Sequence, residues 1–281
     1  MPEIIEVELY RIAASATIGR RILAVDAPDA WYLKRGVSMN ALVGVLRGRV
    51  VDAARRHGKL LLLDLVGAAS APGAPGASVT AGAVDDGDAV TLGLRFGMTG
   101  RLIVDGIAPI TELAYGSSRA ERSWERFALR FDGGGSLMIS DPRRLGGVEL
   151  DPDEGDLGPD AYGLTAPQLA HALAGSHAPL KARLMDQTRI AGLGNLLTDE
   201  ILWRAGLDPA RPAGSLEGRE RARLARAITS ALADLSARGG SHTGDLQSAR
   251  QRGGRCPRDG TPLQRRTVAG RTTYSCPRHQ R

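Results

Sequence analysis

The chain changes its pattern of apolar and polar positions near its middle, which separates a strand-rich first half from a helical second half. Apolar residues at helical spacing predict an opening helix over residues 3–17. Short apolar runs bounded by turn residues then predict a series of strands. These runs cover residues 21–26, 41–47, 60–66, 89–95, 100–105, 126–131 and 136–140, with a glycine turn at 133–135 before the last of them.

The second half shows the 3.6-residue periodicity of helices. It predicts helices over residues 165–174, 179–187, 195–205 and 216–238, with Thr165 as an N-cap and Gly206 as a C-cap. Residues 255–281 read as a two-stranded hairpin that turns at Gly270 and has a cysteine near each base. Together these patterns predict an α+β fold.

The same patterns predict three domains, at residues 1–150, 160–250 and 251–281. Within the first, residues 67–88 consist mainly of Ala, Gly, Ser and Pro with a few acids. Such a composition buries too little apolar surface to pack against a core. We therefore expect residues 67–88 to form a flexible surface insertion between two strands.

Composition excludes several classes of protein. No apolar stretch approaches the roughly 18–20 residues that a membrane span needs, and the acidic opening residues lack the basic start of a secretory signal. The 281 residues include two cysteines, Cys256 and Cys276, so a disulfide framework cannot organise the fold. These features predict a cytoplasmic protein in a reducing compartment, with no membrane partner.

Positive charge is concentrated at one end of the chain. The net charge is +6, and residues 250–281 alone contain nine arginines and one acidic residue. A basic segment on a nearly neutral body predicts a polyanionic partner, most often nucleic acid. A disordered basic tail is the alternative interpretation. Because basic residues are nearly all arginine, the three lysines, Lys34, Lys59 and Lys181, are each candidates for a specific role.

The first residues could carry nucleophilic chemistry. Removal of Met1 would leave Pro2 with a free secondary amine, and an α-amino group has a reference pKa of about 8 against about 10.4 for lysine. Such an amine can attack a sugar C1′ and form an iminium ion. Glu3 and Glu6 are near enough in sequence to act as acid or base. An ordinary frayed terminus is the alternative.

Two further positions could bind phosphate. Lys59 stands at the mouth of the apolar strand 60–66, where it could bind a phosphate or supply a proton, although a solvated strand cap is the alternative. Gly192 and Gly194 permit close backbone approach before a helix that begins at Asn195, and the N-terminus of a helix favours an anion. A plain turn between two helices explains these glycines equally well.

The terminal hairpin has the spacing of a metal site. Cys256 and Asp259 form a C-x-x-D pair, and after sixteen residues Cys276 and His279 form a C-x-x-H pair. Zinc accepts thiolate, imidazole and carboxylate ligands in a tetrahedral set. The alternative is a small hairpin with two free thiols that folds without metal.

Six segments together match one known family in order: residues 1–8, 58–59, 95–100, 141–146, 184–209 and Arg271. They resemble the formamidopyrimidine-DNA glycosylase/endonuclease VIII (Fpg/Nei) family of DNA repair enzymes, and the resemblance runs from residue 2 to residue 279. It implies an N-terminal two-layer β-sandwich with an N-terminal helix, a helix-two-turn-helix domain and a C-terminal zinc-finger-like β-hairpin. It also implies DNA bound in a cleft between the domains.

The resemblance further implies an enzyme that excises an oxidised or otherwise damaged base and then nicks the strand at the abasic site. Pro2 would be the Schiff-base nucleophile, Glu3 would protonate the opening sugar, and Lys59 would contact phosphate and assist elimination. Asn195 and Arg271 would hold the phosphates that flank the extruded nucleotide. The side chains that fill the gap in the base stack would be Met98, Arg143 and Leu145.

These interpretations define the expected site. The catalytic set is Pro2, Glu3, Glu6, Lys59 and Arg271. The DNA contacts are Met98, Arg143, Leu145, Lys181, Gly192, Asn195 and Arg271. One structural zinc per chain is expected on Cys256, Asp259, Cys276 and His279, and the partner is double-stranded DNA with a damaged base or an abasic site, bound by a monomer.

The chain also departs from the family pattern. Leu145 is a smaller wedge than the phenylalanine of the formamidopyrimidine branch, and the family's paired histidines are missing near Trp124. The segment from Gly240 to Cys256 is about half the usual length and lacks the loop that covers 8-oxoguanine, so 8-oxoguanine is not the expected main substrate. Two alternative functions are a non-covalent binder of abasic or lesion DNA and a monofunctional glycosylase with unusual base specificity.

Overall fold

The computed structural model describes residues 2–67, 89–110, 113 and 121–281. These residues form two compact units: the first contains Pro2 and Glu6–Glu154, and the second contains Glu3–Ile5 and Gly155–Arg281. Helices and sheets are both present, which confirms the α+β class. The expected insertion at 67–88 lies outside the described residues except for Gly67. None of the described helices is long and apolar enough to cross a bilayer.

The first unit consists of two four-stranded antiparallel sheets and two helices. The helices are α1 (Ile4–Ala14) and α2 (Met39–Leu46). The strands are β1 (Ile22–Asp26), β2 (Val50–His57), β3 (Leu60–Val66), β4 (Val90–Arg95), β5 (Arg101–Val104), β6 (Glu125–Phe131), β7 (Ser136–Ser140) and β8 (Gly147–Leu150). One sheet has the order β2-β3-β4-β8, and the other has the order β1-β6-β7-β5.

The two sheets of the first unit share one apolar core. Leu61 and Leu63 of β3 and Leu92 of β4 belong to the same buried cluster as Leu129 and Ile139 of the other sheet. Alternate residues of a strand point to the same face, so each sheet can present a row of apolar side chains to the other. This shared core confirms the predicted two-layer sandwich.

The structure corrects one predicted strand. The segment predicted at 41–47 is instead helical as far as Leu46, and Arg47 is the C-cap of α2. The helix begins after Ser38, whose hydroxyl accepts a hydrogen bond from the Ala41 N–H at 3.2 Å. Leu42 and Leu46 are both buried, and their spacing of four residues places them on one helical face. In so short an apolar run, that spacing is easily mistaken for the alternation of a strand.

The second unit contains the helices and the terminal hairpin. Its elements are α3 (Ala166–Leu173), α4 (Leu180–Met185), α5 (Asn195–Ala205), α6 (Gly218–Ala237), β9 (Gln264–Val268) and β10 (Arg271–Ser275). Thr165 and Gln168 form a capping box at the start of α3, and Gly206 ends α5 in the left-handed conformation at φ 64°. Both predicted caps are therefore confirmed.

We expect the stability of the first unit to depend on its shared core. Leu63 is fully buried in β3, so Leu63→Ala should lower the free energy of unfolding by about 2–5 kcal/mol. Leu23→Ala is the matched control, because Leu23 is 53% exposed in β1 and its truncation should cost less than about 1 kcal/mol. Urea unfolding of both variants tests this, and equal losses would contradict the assignment of the core.

Candidate functional site

The carboxylate of Glu3 lies at the N-terminus of α5. It is fully buried, and it accepts hydrogen bonds from the backbone N–H groups of Gly194 at 2.8 Å, Leu196 at 2.8 Å and Leu197 at 3.2 Å. The first N–H groups of a helix have no partner within the helix, and the helix dipole favours a negative charge there. The anion predicted for this turn is therefore, in this structure, a side chain of the protein itself.

Two glycines allow this approach. A β-carbon on Gly194 would lie 2.3 Å from the carboxyl carbon of Glu3, and one on Gly192 would lie 2.5 Å from the Ile4 side chain. Gly192 also has φ 113°, and its carbonyl accepts the Ile4 N–H at 3.1 Å. The glycines thus seat residues 3 and 4 against the turn, since any larger residue would displace the chain start.

Two further predicted site residues are sequence neighbours of this contact: Pro2 precedes Glu3, and Asn195 lies between the donors Gly194 and Leu196. Pro2 is buried, and its nitrogen carries the peptide bond from Met1 in the printed sequence. Asn195 is the first residue of α5, and its side-chain oxygen is buried without a hydrogen-bond partner among the described residues. A buried amide oxygen of this kind is costly to leave unpaired, so Asn195 is a candidate for binding a group outside the chain.

The first unit positions two further predicted residues. Lys59 is half-buried in the tight turn between β2 and β3, where Gly58 has φ 56°. Arg56 braces this turn, because its guanidinium donates to the Gly58 carbonyl at 3.0 Å and to Glu8 at 3.0 Å. Glu6 is buried on α1. Burial of the Tyr10 phenol raises the pKa of that residue, and the negative charge of Glu6 adds to the shift.

The three predicted gap-filling residues lie on two loops of the first unit. Met98 is half-buried in the loop between β4 and β5, while Arg143 and Leu145 are exposed in the loop between β7 and β8. Between them in sequence, Arg144 is held by Asp29 through two hydrogen bonds of 2.6 and 2.7 Å. Arg144 is exposed as well, but its guanidinium is engaged by this ion pair.

The structure places Lys181 differently from the prediction that it contacts DNA. Its side chain is fully buried, with the ammonium 2.7 Å from Asp199 Oδ1, 2.8 Å from the Thr273 hydroxyl and 3.2 Å from the Thr272 carbonyl. Burial lowers the pKa of Lys181, and Asp199 opposes that shift. All three ammonium hydrogens have internal partners, so we assign Lys181 a structural role in place of the expected DNA contact.

A second cation completes this buried cluster. Arg250 pairs with the other carboxylate oxygen of Asp199, and its guanidinium lies 5.4 Å from the Tyr274 ring centre. The Tyr274 N–H also donates to Asp199 at 3.3 Å. Asp199 therefore fastens the hairpin strand β10 to helices α4 and α5.

Arg271 stands at the other end of this strand. It is the first residue of β10, directly after the turn in which Ala269 and Gly270 have φ 47° and 74°. Its side chain is exposed, and its guanidinium forms no hydrogen bond or ion pair with the described residues. The cluster around Asp199 holds the base of the hairpin, so Arg271 is presented from a fixed strand, with its guanidinium open to a ligand.

Cys256, Asp259, Cys276 and His279 come together at the base of the hairpin, as their spacing predicted. One ligand atom from each lies within 4.8 Å of all the others. Cys256 Sγ is 3.7 Å from His279 Nδ1, Cys276 Sγ is 3.5 Å from Asp259 Oδ2, and that oxygen is 3.3 Å from His279 Nδ1. Ligands of a tetrahedral zinc lie about 3.3–3.8 Å apart, given bonds of about 2.0–2.3 Å. The residues therefore fit such an ion.

The surroundings of the cluster also suit a metal. His279 Nε2 lies 3.3 Å from the Trp203 carbonyl, so the ring can donate there while Nδ1 faces the cluster. The Trp203 indole N–H donates to Cys256 Sγ at 3.3 Å. A hydrogen bond from the Thr261 N–H lowers the pKa of Asp259, which keeps that carboxylate ionised, whereas burial raises the pKa of Cys276.

Comparison with known proteins identifies the family. Residues 1–148 match the formamidopyrimidine-DNA glycosylase N-terminal domain, and residues 157–245 match the formamidopyrimidine-DNA glycosylase H2TH domain. The formamidopyrimidine-DNA glycosylase of Gluconobacter oxydans (strain 621H) is 32% identical over 311 positions, which cover 100% of both chains. This chain belongs to the formamidopyrimidine-DNA glycosylase family. The family member from Moorella thermoacetica (strain ATCC 39073 / JCM 9320) is 33% identical over 299 positions and 94% of each chain.

Solved structures of the family share the fold. A complex of the Lactococcus lactis Fpg protein with THF-DNA and an inhibitor has a TM-score of 0.78 at 24% identity, over 100% of both chains. A complex of the same Fpg with DNA containing N7-benzyl-Fapy-dG has a TM-score of 0.78 at 24% identity, over 99% of both chains. The Fpg resemblance seen in the sequence is thereby confirmed, and the chain is a DNA glycosylase.

Sequence reasoning missed residues that organise this Fpg fold rather than carry its chemistry. Asp141, which belongs to a matching segment, is buried between the two loops, and Asp199 is buried beneath the hairpin. The signal for Asp199 was an acidic pair, Asp199-Glu200, between the apolar runs 196–197 and 201–203 of one helix. Acids in such positions are buried only with partners, but the sequence does not say which partners.

We expect Lys181→Met to destabilise this Fpg-family chain without changing its electrostatic contacts with DNA. Removal of one partner of a buried ion pair should lower the free energy of unfolding by about 3–5 kcal/mol. The slope of DNA affinity against salt concentration should stay unchanged, because a buried ammonium releases no counterions. Lys34→Met, on a half-buried surface lysine, should cost less than about 1 kcal/mol. A slope reduced by about one for Lys181→Met would instead support a phosphate contact.

Proposed function

We propose that this glycosylase excises a damaged base from double-stranded DNA through a Schiff base on Pro2 and then nicks the strand by elimination. The observation that carries the proposal is the Glu3 carboxylate, fully buried at the N-terminus of α5 and adjacent in sequence to Pro2. A carboxylate fixed by three backbone N–H groups is a preorganised proton carrier next to the candidate nucleophile. Removal of Met1 is required, because the nitrogen must be a free amine to attack.

The proposed chemistry balances with these residues. The Pro2 nitrogen forms a bond to C1′ as the glycosidic bond breaks, and the base leaves with the bonding electrons and takes up a proton from solvent water. Glu3 accepts the proton released from the amine and delivers it to the ring oxygen as the sugar opens to an iminium. Loss of a proton from C2′ then expels the 3′-phosphate, which Lys59 assists, and water releases Pro2.

The partner in this proposal is a duplex with one nucleotide turned out of the stack. The Lactococcus lactis structures that this fold resembles are complexes with DNA that carries THF, a Fapy-dG derivative or an abasic site. A base within a duplex cannot be attacked at C1′, so it must be extruded and the gap filled. Met98, Arg143 and Leu145 are the proposed gap-filling residues, and Asn195 and Arg271 the proposed phosphate contacts.

The segment after α6 supports a base preference other than 8-oxoguanine. Glu200 accepts hydrogen bonds from the backbone N–H groups of Asp245 at 3.1 Å and Leu246 at 2.9 Å, and Leu246 is fully buried. Arg238 also pairs with Asp245 at 2.7 Å. A segment this short and this tightly bonded leaves little chain for a loop that covers 8-oxoguanine. We therefore propose that 8-oxoguanine is not the main substrate.

We also propose that Cys256, Asp259, Cys276 and His279 hold one structural zinc ion. The donor types and the spacing of their atoms fit a tetrahedral site, and the Trp203 carbonyl is placed to orient the histidine ring. When bound, the ion would hold the two turns of the hairpin base together. The role is structural, because all four positions are supplied by the protein.

The proposed Schiff base predicts a covalent complex with DNA. Borohydride should trap the wild-type protein on a duplex with one abasic site, because it reduces the iminium to a stable amine. Pro2→Gly should largely lose trapping while DNA affinity stays within a few fold, and Pro109→Gly, at an exposed proline, should trap like the wild type. Intact-protein mass in parallel should show that Met1 is absent.

Two outcomes would overturn this assignment. Equal trapping by Pro2→Gly and wild type would exclude Pro2 as the nucleophile. Tight binding to abasic DNA without trapping would favour a non-covalent lesion binder, or a purely hydrolytic glycosylase if free base is released. Retention of Met1 would point to the non-covalent binder, because the nitrogen would then be blocked.

The zinc proposal predicts about one zinc per chain in protein purified without chelator. His279→Ala should lose the metal and lower the midpoint of thermal unfolding, because the hairpin base loses its cross-link. His177→Ala, at an exposed histidine, should retain both metal and midpoint. Elemental analysis and thermal unfolding measure these outcomes. Wild-type protein without metal would exclude zinc from the site.

A further inference from the structure

Two loops of the first unit are joined by one buried carboxylate. The first loop, residues 96–100, carries Met98, and the second, residues 141–146, carries Arg143 and Leu145. Leu145 is 52% exposed, although both loops are anchored in the interior. An exposed apolar side chain on a well-anchored loop is suited to insertion into a partner, so what fixes the two loops relative to each other matters for function.

Asp141 is that carboxylate, and it is fully buried. One of its oxygens accepts hydrogen bonds from the Thr99 hydroxyl at 2.6 Å and the Arg143 N–H at 3.2 Å. The other accepts the Gly146 N–H at 2.9 Å and the Tyr32 hydroxyl at 3.4 Å. The Thr99 bond crosses between the loops, and the two backbone bonds set the shape of the second loop on both sides of Leu145.

The four donors to this carboxylate are neutral groups. Among the described residues, no lysine or arginine forms an ion pair with Asp141. Burial raises the pKa of Tyr32, so its hydroxyl remains protonated and able to donate. A buried carboxylate without a cation is stabilised only while its hydrogen bonds are made. Asp141 therefore favours the single arrangement of the two loops that satisfies it.

The loop backbones are also in direct contact. Gly97 has φ 55°, and a β-carbon there would lie 2.4 Å from the Leu145 carbonyl carbon. On the far side, the Tyr10 hydroxyl donates to the Gly100 carbonyl at 3.1 Å, which ties the first loop to α1. The second loop is tied at Asp141, whose carbonyl accepts from the Arg126 guanidinium at 2.9 Å. The contact leaves no room for one loop to slide over the other.

We propose that Asp141 is a positioning residue that, through Thr99, fixes Met98 relative to Arg143 and Leu145 before DNA binds. This inference rests on the proposed function, in which those three side chains fill the gap left by the extruded nucleotide. A gap filler must enter the stack as the base leaves, and a preordered set of side chains avoids the entropy cost of ordering at that moment. Asp141 itself touches no DNA in this scheme.

Substitutions at Thr99 test the hydrogen bond that joins the two loops without removing the Asp141 carboxylate. Thr99→Val keeps the shape of the side chain but removes the hydroxyl that bridges to Asp141, whereas Thr99→Ser keeps the hydroxyl. The matched control is Thr17→Val, because Thr17 is also fully buried in the first unit and donates to the Ala14 carbonyl at 2.7 Å. Thr17→Val therefore loses one buried hydroxyl hydrogen bond away from both loops.

The first readout needs no chemistry. A duplex is prepared with a stable tetrahydrofuran abasic analogue opposite 2-aminopurine, whose fluorescence rises when it is unstacked. Wild type, Thr99→Ser and Thr17→Val should give the same rise at saturating protein. Thr99→Val should give about half of it or less, because the gap-filling side chains no longer enter in register.

The second readout compares two reactions under single-turnover conditions. The substrates are a duplex with a formamidopyrimidine lesion of guanine and a duplex with a preformed abasic site. Thr99→Val should slow excision of the paired lesion about tenfold and cleavage at the abasic site less than about threefold, because an abasic nucleotide has no base to unstack. Thr99→Ser should restore both rates, and Thr17→Val should lower neither.

The outcomes separate this inference from the function on which it rests. Equal behaviour of Thr99→Val and Thr17→Val, or a Thr99→Val loss that Thr99→Ser does not restore, would overturn the positioning role. If wild type cleaves neither substrate, the proposed function fails. The fluorescence comparison then still decides whether Asp141 and Thr99 position the gap-filling side chains, since it depends only on binding.

Discussion

The contact on which the candidate site depends is the one between the Glu3 carboxylate and the first N–H groups of α5. It joins the third residue of the chain to residues near position 195, and it satisfies donors that the helix leaves without partners. Neither side is stable alone, because a buried carboxylate needs donors and a buried helix N-terminus needs an acceptor. Each therefore fixes the other, and the start of the chain becomes a well-ordered part of the protein.

The same rule, that buried charge must be fully bonded, recurs at Asp141 and Asp199. Asp141 is satisfied by four neutral donors, and Asp199 by two cations and a backbone N–H. The charge of the donors differs between the two carboxylates, and so does the part of the structure that each one orders. Neutral hydrogen bonds set the shape of two short loops, whereas ion pairs fasten a whole hairpin to the helices. In both places the side chains proposed to contact DNA lie nearer the surface, and the carboxylates that order their surroundings lie beneath.

Much of the fold could be predicted because local pattern and local chemistry agree. The capping box at Thr165, the left-handed Gly206 and the leucine-rich β3 each have a cause within a few residues. Strand β2 was not predicted, because half of its residues are polar. Its Arg55 pairs with Asp64 on β3, a partner that is known only once the strands are aligned. Residues 41–47 were assigned the wrong element because a short apolar run carries little periodicity.

The candidate site likewise contains residues whose placement could be predicted from the sequence and residues whose placement could not. The clustering of the four candidate metal ligands could be predicted from spacing, and the glycines of the turn from their conformational freedom. The burial of Lys181 could not, because its partners Asp199 and Thr273 are 18 and 92 residues away along the chain. Charge suggested a phosphate contact for this lysine, whereas packing gives it three internal acceptors. Only the tertiary structure distinguishes a cationic side chain that is available to a ligand from one whose partners are internal groups of the protein.

The surroundings of Trp203 have an optical consequence. Its indole N–H bonds to the Cys256 sulfur, its ring lies 6.1 Å from that of His279, and the side chain is 6% exposed. Trp31, in contrast, is 69% exposed, with the Lys34 ammonium 5.3 Å from its ring centre. Sulfur and imidazole quench indole emission to an extent that depends on their ionisation and ligation. The hairpin base thus contains a natural fluorophore whose emission reports the chemical state of its cysteine.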